Sequence, residues 1–153
     1  SQPIAITHGN PISFCDSPRN KPDELVAAVA ERGGVIGCTL YPLFMGGADV
    51  TRAQYCGMLA QLAESIGVEH VAIGSDAVLG WDPDALGWMR SGRWDRPTEP
   101  EAIPQFPPWP KWFDGPKDFP SLAEGLDEAG FAPDERDLVL GGNWIRLFDQ
   151  VFG

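Results

Sequence analysis

Short runs of consecutive apolar residues alternate, along the first half of the chain, with stretches in which apolar residues recur every three or four positions. Pro3-Ile4-Ala5-Ile6-Thr7-His8 has the pattern of a short buried strand, and Gly9-Asn10-Pro11 stops it. A loop runs through Ser17-Pro18-Arg19-Asn20, and Lys21-Pro22-Asp23-Glu24 then opens a helix with a proline and two acids in its first turn. Leu25, Val26, Val29 and Ala30 recur at helical spacing before Arg32-Gly33-Gly34 ends the element. Val35 to Tyr41 is apolar on both faces, as a strand covered by helices on a parallel sheet would be. A loop from Pro42 to Val50 leads to Thr51, a good N-cap. The helix that follows extends to about Ile66, with Tyr55, Met58, Leu59 and Leu62 on one stripe and Gly67 closing it. His70-Val71-Ala72-Ile73-Gly74 is a third buried strand, ending in Ser75-Asp76.

The order strand, helix, strand, helix, strand predicts repeated βαβ units and hence a parallel α/β architecture. From about residue 77 to 118 the periodicity dissolves into a long loop rich in Pro and studded by Trp81, Trp88, Trp94, Trp109 and Trp112, with a short helical turn expected around Asp84 to Met89. Helix returns at Phe119 to Ala129 and Pro133 to Leu140, and a last helix is expected from Asn143, as N-cap, to the end. Three parallel strands cannot close a barrel, and they leave edges that natural proteins avoid exposing. The expectation is a portion of a larger fold, with a strand that begins close to the first residue because the cut falls in mid-fold, or a sheet completed by a partner chain.

Composition narrows the function classes only a little. The chain has 153 residues, 43% apolar and 22% charged, enough for a core of its own and ordinary for a globular protein. Gly (18) and Pro (15) are abundant and fall mainly in the connections, where binding residues commonly sit. Eleven Lys and Arg against 22 Asp and Glu give a net charge of −11, which repels phosphate backbones, so no nucleic-acid partner is expected. Cys15, Cys38 and Cys56 are odd in number and widely spaced, which is no disulfide framework and contains no CxxC zinc pair; Cys38 and Cys56 lie in apolar stretches as small core residues. No apolar run reaches membrane-spanning length, and Ser1-Gln2-Pro3 does not begin a signal peptide. The expected setting is soluble, cytoplasmic or periplasmic.

The chemistry is expected where the strands end. His8, Tyr41 and Asp76 each close one strand, and ligands of parallel α/β sheets bind outside the carboxyl ends of the strands. A neutral imidazole and a carboxylate are both suited to a transition metal, yet a hydrolytic metal site needs at least three protein ligands, so the set is incomplete. Taken singly, each residue has a plainer role open to it: His8 a hydrogen-bonded core histidine, Asp76 a cap for the turn after Gly74-Ser75, Tyr41 a packed ring, Arg19 a solvated charge. His70 lies at the entry end of its strand and is read as structural.

Read together, these segments resemble the renal (membrane) dipeptidase family, peptidase family M19. Thr7-His8-Gly9-Asn10-Pro11 followed by Cys15-Asp16-Ser17-Pro18-Arg19-Asn20 is similar to that family's strand-ending His and its Arg-Asn loop. Ala30 to Gly37 resembles the next helix-to-strand junction, Gly67 to Asp76 the last barrel strand, and Leu140-Gly141-Gly142-Asn143-Trp144-Ile145-Arg146-Leu147-Phe148 the closing helix. The resemblance spans nearly the whole chain in order. It departs from the family at Val78, where a Gly-Ser-Asp-Phe-Asp-Gly stretch would place a second acid, and in the Trp-rich segment, which is longer than in mammalian members and resembles a bacterial branch.

The resemblance implies the C-terminal portion of a (β/α)₈ TIM-type barrel of the metal-dependent amidohydrolase kind, with residues 1–153 supplying its last three strands, the long loop and the closing helices. It implies a zinc-dependent dipeptidase cleaving dipeptides with a free C-terminus. His8 would bind one zinc and Asp76 the other, two ions in the complete site, with Asp76 also catalytic. Arg19 would hold the substrate carboxylate, and Tyr41 would lie near the substrate. The remaining ligands, a His-x-Asp pair, a bridging Glu and another His, are expected from the N-terminal half of the barrel, which is therefore the expected partner; a homodimer is a further expectation. Two alternatives stand beside this one: a related amidohydrolase acting on N-acyl amino acids, and a catalytically inactive relative that binds a small peptide-like ligand.

Overall fold

The computed structural model describes residues 2–78 and 107–153. Three short strands, β1 (Ala5–Ile6), β2 (Val35–Cys38) and β3 (Val71–Ile73), form one parallel sheet in the order β1-β2-β3. Ala5 pairs with Val35, and Gly37 pairs with Ala72. The parallel α/β arrangement expected from the βαβ order is therefore present, although each strand is shorter than its apolar run. Thr7-His8 and Thr39-Leu40-Tyr41 leave the ladder, and His70 belongs to a 3₁₀ turn, Val68–His70, ahead of β3.

Helix α1 (Asp23–Ala30) buries Val26, Val29 and Ala30, while Leu25 points outward, 45% exposed, against the expectation from its spacing. Helix α3 (Arg52–Ile66) buries the whole expected stripe, Tyr55, Met58, Leu59 and Leu62. Its start is fixed by a capping box: Thr51 Oγ1 accepts from the Gln54 amide at 3.2 Å, and Gln54 Oε1 accepts from the Thr51 amide at 2.9 Å. The interval Pro42 to Val50 is not all loop. It contains a one-turn helix, α2 (Pro42–Met45), begun by Pro42 and ended by Gly46 at φ 97°, a conformation that glycine adopts at no cost.

The sheet is covered on both faces. Ile36, Cys38, Val71 and Ile73 face α1, α3 and a later helix, α4 (Phe119–Glu128), in one large core with Tyr55, Leu59, Phe113, Leu122 and Leu126. Tyr55 is fully buried and donates its hydroxyl to the Cys38 carbonyl at 2.9 Å. Trp109 and Trp112 pack on this core, and Trp112 Nε1 donates to the Val50 carbonyl at 2.7 Å. Trp81, Trp88, Trp94 and the turn expected at Asp84 to Met89 lie outside the described residues. Cys38 and Cys56 are buried, as expected of small core residues, and desolvation pushes their thiols up to about 12 and about 11.

On the opposite face Val35 and Ala72 meet Trp144 and Leu147 of the last helix, α6 (Asn143–Phe152). A short helix, α5 (Pro133–Asp137), runs into α6 through a π-helical stretch, Leu138–Gly142. Asn143 is consequently not an N-cap. The chain is already helical when it arrives, and the buried Asn143 side chain instead donates to the Val68 and Val71 carbonyls, both at 2.8 Å. Trp144 Nε1 donates to the Ile73 carbonyl at 2.9 Å. No helix among the described residues is long and apolar enough to cross a membrane.

Candidate active site

Because the three strands are parallel, the segments that follow them emerge at one edge of the sheet. They are stitched there by backbone bonds: the Gly9 amide donates to the Gly37 carbonyl (2.9 Å), the Gly74 amide to the Cys38 carbonyl (2.9 Å), and the Leu40 amide to the Ser75 carbonyl (3.3 Å). His8, Tyr41 and Asp76 all lie on this edge.

His8 is half-buried. Its Nδ1 lies 2.9 Å from Thr7 Oγ1, and its Nε2 lies 3.5 Å from Arg19 Nη2. A guanidinium offers only donors, so both contacts are satisfied by the tautomer that carries its proton on Nδ1, towards the Thr7 hydroxyl, and keeps a lone pair on Nε2. That tautomer offers at Nε2 the lone pair a metal would use.

Arg19 is exposed, and its guanidinium lies over the Phe44 ring, 5.6 Å from the centroid. Phe44 stands on α2, and its centroid is 5.0 Å from that of Tyr41, which in turn meets Trp109 edge-on at 6.1 Å. A network of two buried asparagines holds this arrangement. Asn10 Oδ1 accepts from the Thr39 amide (3.0 Å), and Asn10 Nδ2 donates to the Thr39 carbonyl (3.2 Å) and the Phe44 carbonyl (3.0 Å). Asn20 Oδ1 accepts from the Asn10 amide (3.1 Å), and Asn20 Nδ2 donates to the Cys15 (2.8 Å) and Phe44 (2.9 Å) carbonyls. The Arg19 loop, the end of β2 and α2 are thereby tied into one unit. A buried amide network of this kind fixes geometry because every partner is satisfied.

Asp76 follows β3, on the far side of β2 from His8. It is exposed, and no hydrogen bond or ion pair joins it to His8 or Arg19. It is the one non-glycine among the described residues at positive φ, 57°, a left-handed conformation that Asp tolerates better than most residues and that recurs at functional sites. Val78, where the family pattern would place a second acid, is exposed two residues further on. His70 is remote from this edge, with Nδ1 2.8 Å from the Gly34 carbonyl, which agrees with its structural reading.

The structure thus gathers Arg19 and Tyr41 around Phe44, brings His8 against Arg19, and sets Asp76 beyond β2 on the same edge. The sequence assigns no role to Asn10, Asn20 or Phe44. Asn10 falls in the run that stops β1 and Asn20 in the Arg-Asn loop of the family pattern, and neither position says anything of burial. His8 and Asp76 have the donor chemistry of a hydrolytic zinc site, but among the described residues no group of three or more His, Cys, Asp or Glu comes together. The cleft of 440 Å³ between α1 and α3 is lined by Phe14, Val26, Met58 and Leu62, so it lies on the helical side and not at this edge.

The model of the membrane dipeptidase family, peptidase family M19, matches residues 1–91. Dipeptidase aclJ of Aspergillus oryzae is 24% identical over 152 residues, which make up 97% of this chain and 30% of that protein. A Klebsiella pneumoniae protein described as an uncharacterized protein in the pqqA 5′ region is 30% identical over 157 residues, 99% of this chain and 48% of its own length. Among solved structures, an amidohydrolase from Pseudomonas aeruginosa superposes with a TM-score of 0.85 at 27% identity, covering 100% of this chain and 47% of that one. A metallo peptidase from Rhodobacter sphaeroides, liganded with a phosphinate mimic of the dipeptide L-Ala-D-Ala, shares the fold with a TM-score of 0.74 at 20% identity, covering 99% and 37%. The chain spans 30% to 48% of the length of these relatives.

Proposed function

Because the chain belongs to the membrane dipeptidase family, peptidase family M19, we propose that it carries the last three strands of a (β/α)₈ barrel whose complete form is a zinc-dependent dipeptidase. The observation that carries this reading is the single rim of the parallel sheet, where His8 and Asp76 follow the two strands that flank β2. The edges of β1 and β3, unpaired among the described residues, are where the remaining strands would join, bringing the further ligands that two donors require.

In this reading His8 Nε2 would hold one zinc and an Asp76 carboxylate oxygen the other. The metal pair, when bound, would lower the pKa of a bound water towards neutrality and polarise the scissile carbonyl. The other carboxylate oxygen of Asp76 accepts the proton this water loses as it attacks and passes it to the departing amine. Arg19, laid on Phe44, presents its planar fork to the free carboxylate at the dipeptide's C-terminus, a group that is costly to bury without a cation. Its contact with His8 Nε2 gives way in that state, and the Phe44 ring keeps the guanidinium within reach. Tyr41 lines the same wall. The dipeptide mimic held by the fold neighbour from R. sphaeroides belongs to the substrate class this reading requires.

His8→Ala in the full-length protein tests the reading. It should lose most of one zinc equivalent by elemental analysis, together with nearly all dipeptide cleavage. Unchanged zinc content would return His8 to a hydrogen-bonding role and remove the metal site's footing in this chain.

A further inference from the structure

Beyond Ile6 the backbone leaves β1 and lays the Thr7 carbonyl across the sheet face that carries Val35 and Ala72. Two glycines make room for it. A Cβ added at Gly37, within β2, would overlap the Thr7 carbonyl oxygen and stand 2.7 Å from Trp144 Cζ2. A Cβ added at Gly74, just past β3, would overlap the same oxygen and stand 3.0 Å from the Gly37 carbonyl oxygen. Neither glycine has a positive φ, so space and not backbone freedom demands them. The obstacles are mainly backbone atoms, which cannot turn aside as the end of a side chain would.

His8 is bracketed by this seat. The residue before it rests on Gly37 and Gly74, and the residue after it, Gly9, donates its amide to the Gly37 carbonyl at 2.9 Å. The Thr7 hydroxyl, 2.9 Å from Nδ1, fixes the ring itself. We infer that Thr7, seated on Gly37 and Gly74, is a positioning residue for His8: its backbone sets where the imidazole stands, and its hydroxyl sets which way Nε2 faces. The inference rests on the reading of His8 as a zinc ligand. It adds that the ligand's placement depends on two glycines of neighbouring strands that themselves touch neither metal nor substrate.

The test is zinc affinity, measured on the full-length protein by competition with a chromophoric chelator, beside the thermal midpoint of each apo variant. Removing the hydrogen-bond partner of a ligating histidine typically weakens metal binding by about 10–100-fold, so Thr7→Val should fall in that range and Thr7→Ser should remain near wild type. Gly74→Ala and Gly37→Ala should weaken binding at least tenfold in folded protein, since they shift the histidine itself. Gly57→Ala, at an α3 position with nothing within 4 Å of the added carbon, should bind zinc as wild type does. A role in stability alone would lower the midpoints and leave affinity intact. Wild-type affinity in Thr7→Val, or in folded Gly74→Ala, overturns the inference. If neither glycine variant folds, Thr7→Val decides alone, because Thr7 is exposed and its replacement threatens no core. Should wild type bind zinc no better than His8→Ala, the zinc-ligand reading has failed and not the positioning.

Discussion

Replacing Asn10 tests the unit that carries Arg19 and Phe44. Asn10 and Thr39 are both fully buried, and the asparagine side chain bonds both the Thr39 amide and the Thr39 carbonyl. Asn10→Ala orphans both groups, while the Phe44 carbonyl keeps its bond from Asn20. At about 1–3 kcal/mol for each buried group left unsatisfied, the loss is about 2–6 kcal/mol. That is a large share of the about 5–15 kcal/mol that holds a typical domain together. Denaturant unfolding of the full-length protein reads the total, and hydrogen exchange of the Thr39 amide reads the local part.

Asn10→Asp separates hydrogen bonding from volume. One carboxyl oxygen can still accept from the Thr39 amide, but the other faces the Thr39 and Phe44 carbonyls, where Asn10 had two donors. Burial and two facing acceptors disfavour the ionised form, so the folded pKa should lie above the ordinary value of about 3.9. A raised folded pKa gives stability that is fully present below the unfolded pKa and lost as pH rises through the folded one. The gap between Asn10→Asp and wild type should therefore widen from about pH 4 towards neutrality, starting from the ordinary carboxyl pKa. A cost under about 1 kcal/mol for Asn10→Ala, which is a single net hydrogen bond, or a gap that is flat with pH, would refute the assignment of the network as a satisfied buried brace.

Arg19→Ala should slow cleavage of a free dipeptide by about tenfold to a few hundredfold, the equivalent of a charge-assisted pair worth about 1.5–3 kcal/mol, and should cost far less on a C-terminally amidated dipeptide. Equal losses in kcat/KM on the two substrates would mean that Arg19 supports its loop and does not read the carboxylate. Residues 1–153 expressed alone should show no cooperative monomeric thermal transition, because among the described residues β1 and β3 each leave an edge unpaired and α6 turns outward Ile145 (63% exposed), Phe148 (51%) and Phe152 (83%). A sharp transition in a species shown to be monomeric by light scattering would contradict this.

What the chain discloses about itself divides along physical lines. Val35 to Cys38 and Val71 to Ile73 are legible because a strand buried on both faces must be continuously apolar, and α3 because Thr51 and Gln54 announce its start four residues before the first buried side chain, Tyr55. Helix α2 is not legible, since one turn offers no period, although Pro42 and Gly46-Gly47 punctuate it correctly. Asn143 misleads for the opposite reason: its type fits a cap, but the π-helical stretch delivers the chain already wound, and the Val68 and Val71 carbonyls claim the side chain. The rim residues His8, Tyr41 and Asp76 are legible from a general rule, because parallel strands bring their carboxyl ends to one edge however far apart they lie in sequence. What braces that rim follows no period. Asn10 and Asn20 sit where loops are expected to be exposed, yet they are buried because each satisfies backbone groups that have no strand or helix partner. Gly37 and Gly74 did leave a trace, an isolated glycine in or beside an apolar strand, which signals a close backbone approach without saying what approaches. The approaching atom is the carbonyl next to His8, so the same two positions that interrupt the apolar pattern decide where the imidazole stands. Under the proposed reading the remaining metal donors follow other strands of the barrel, and the precision with which His8 meets them is set by groups that carry no chemistry of their own.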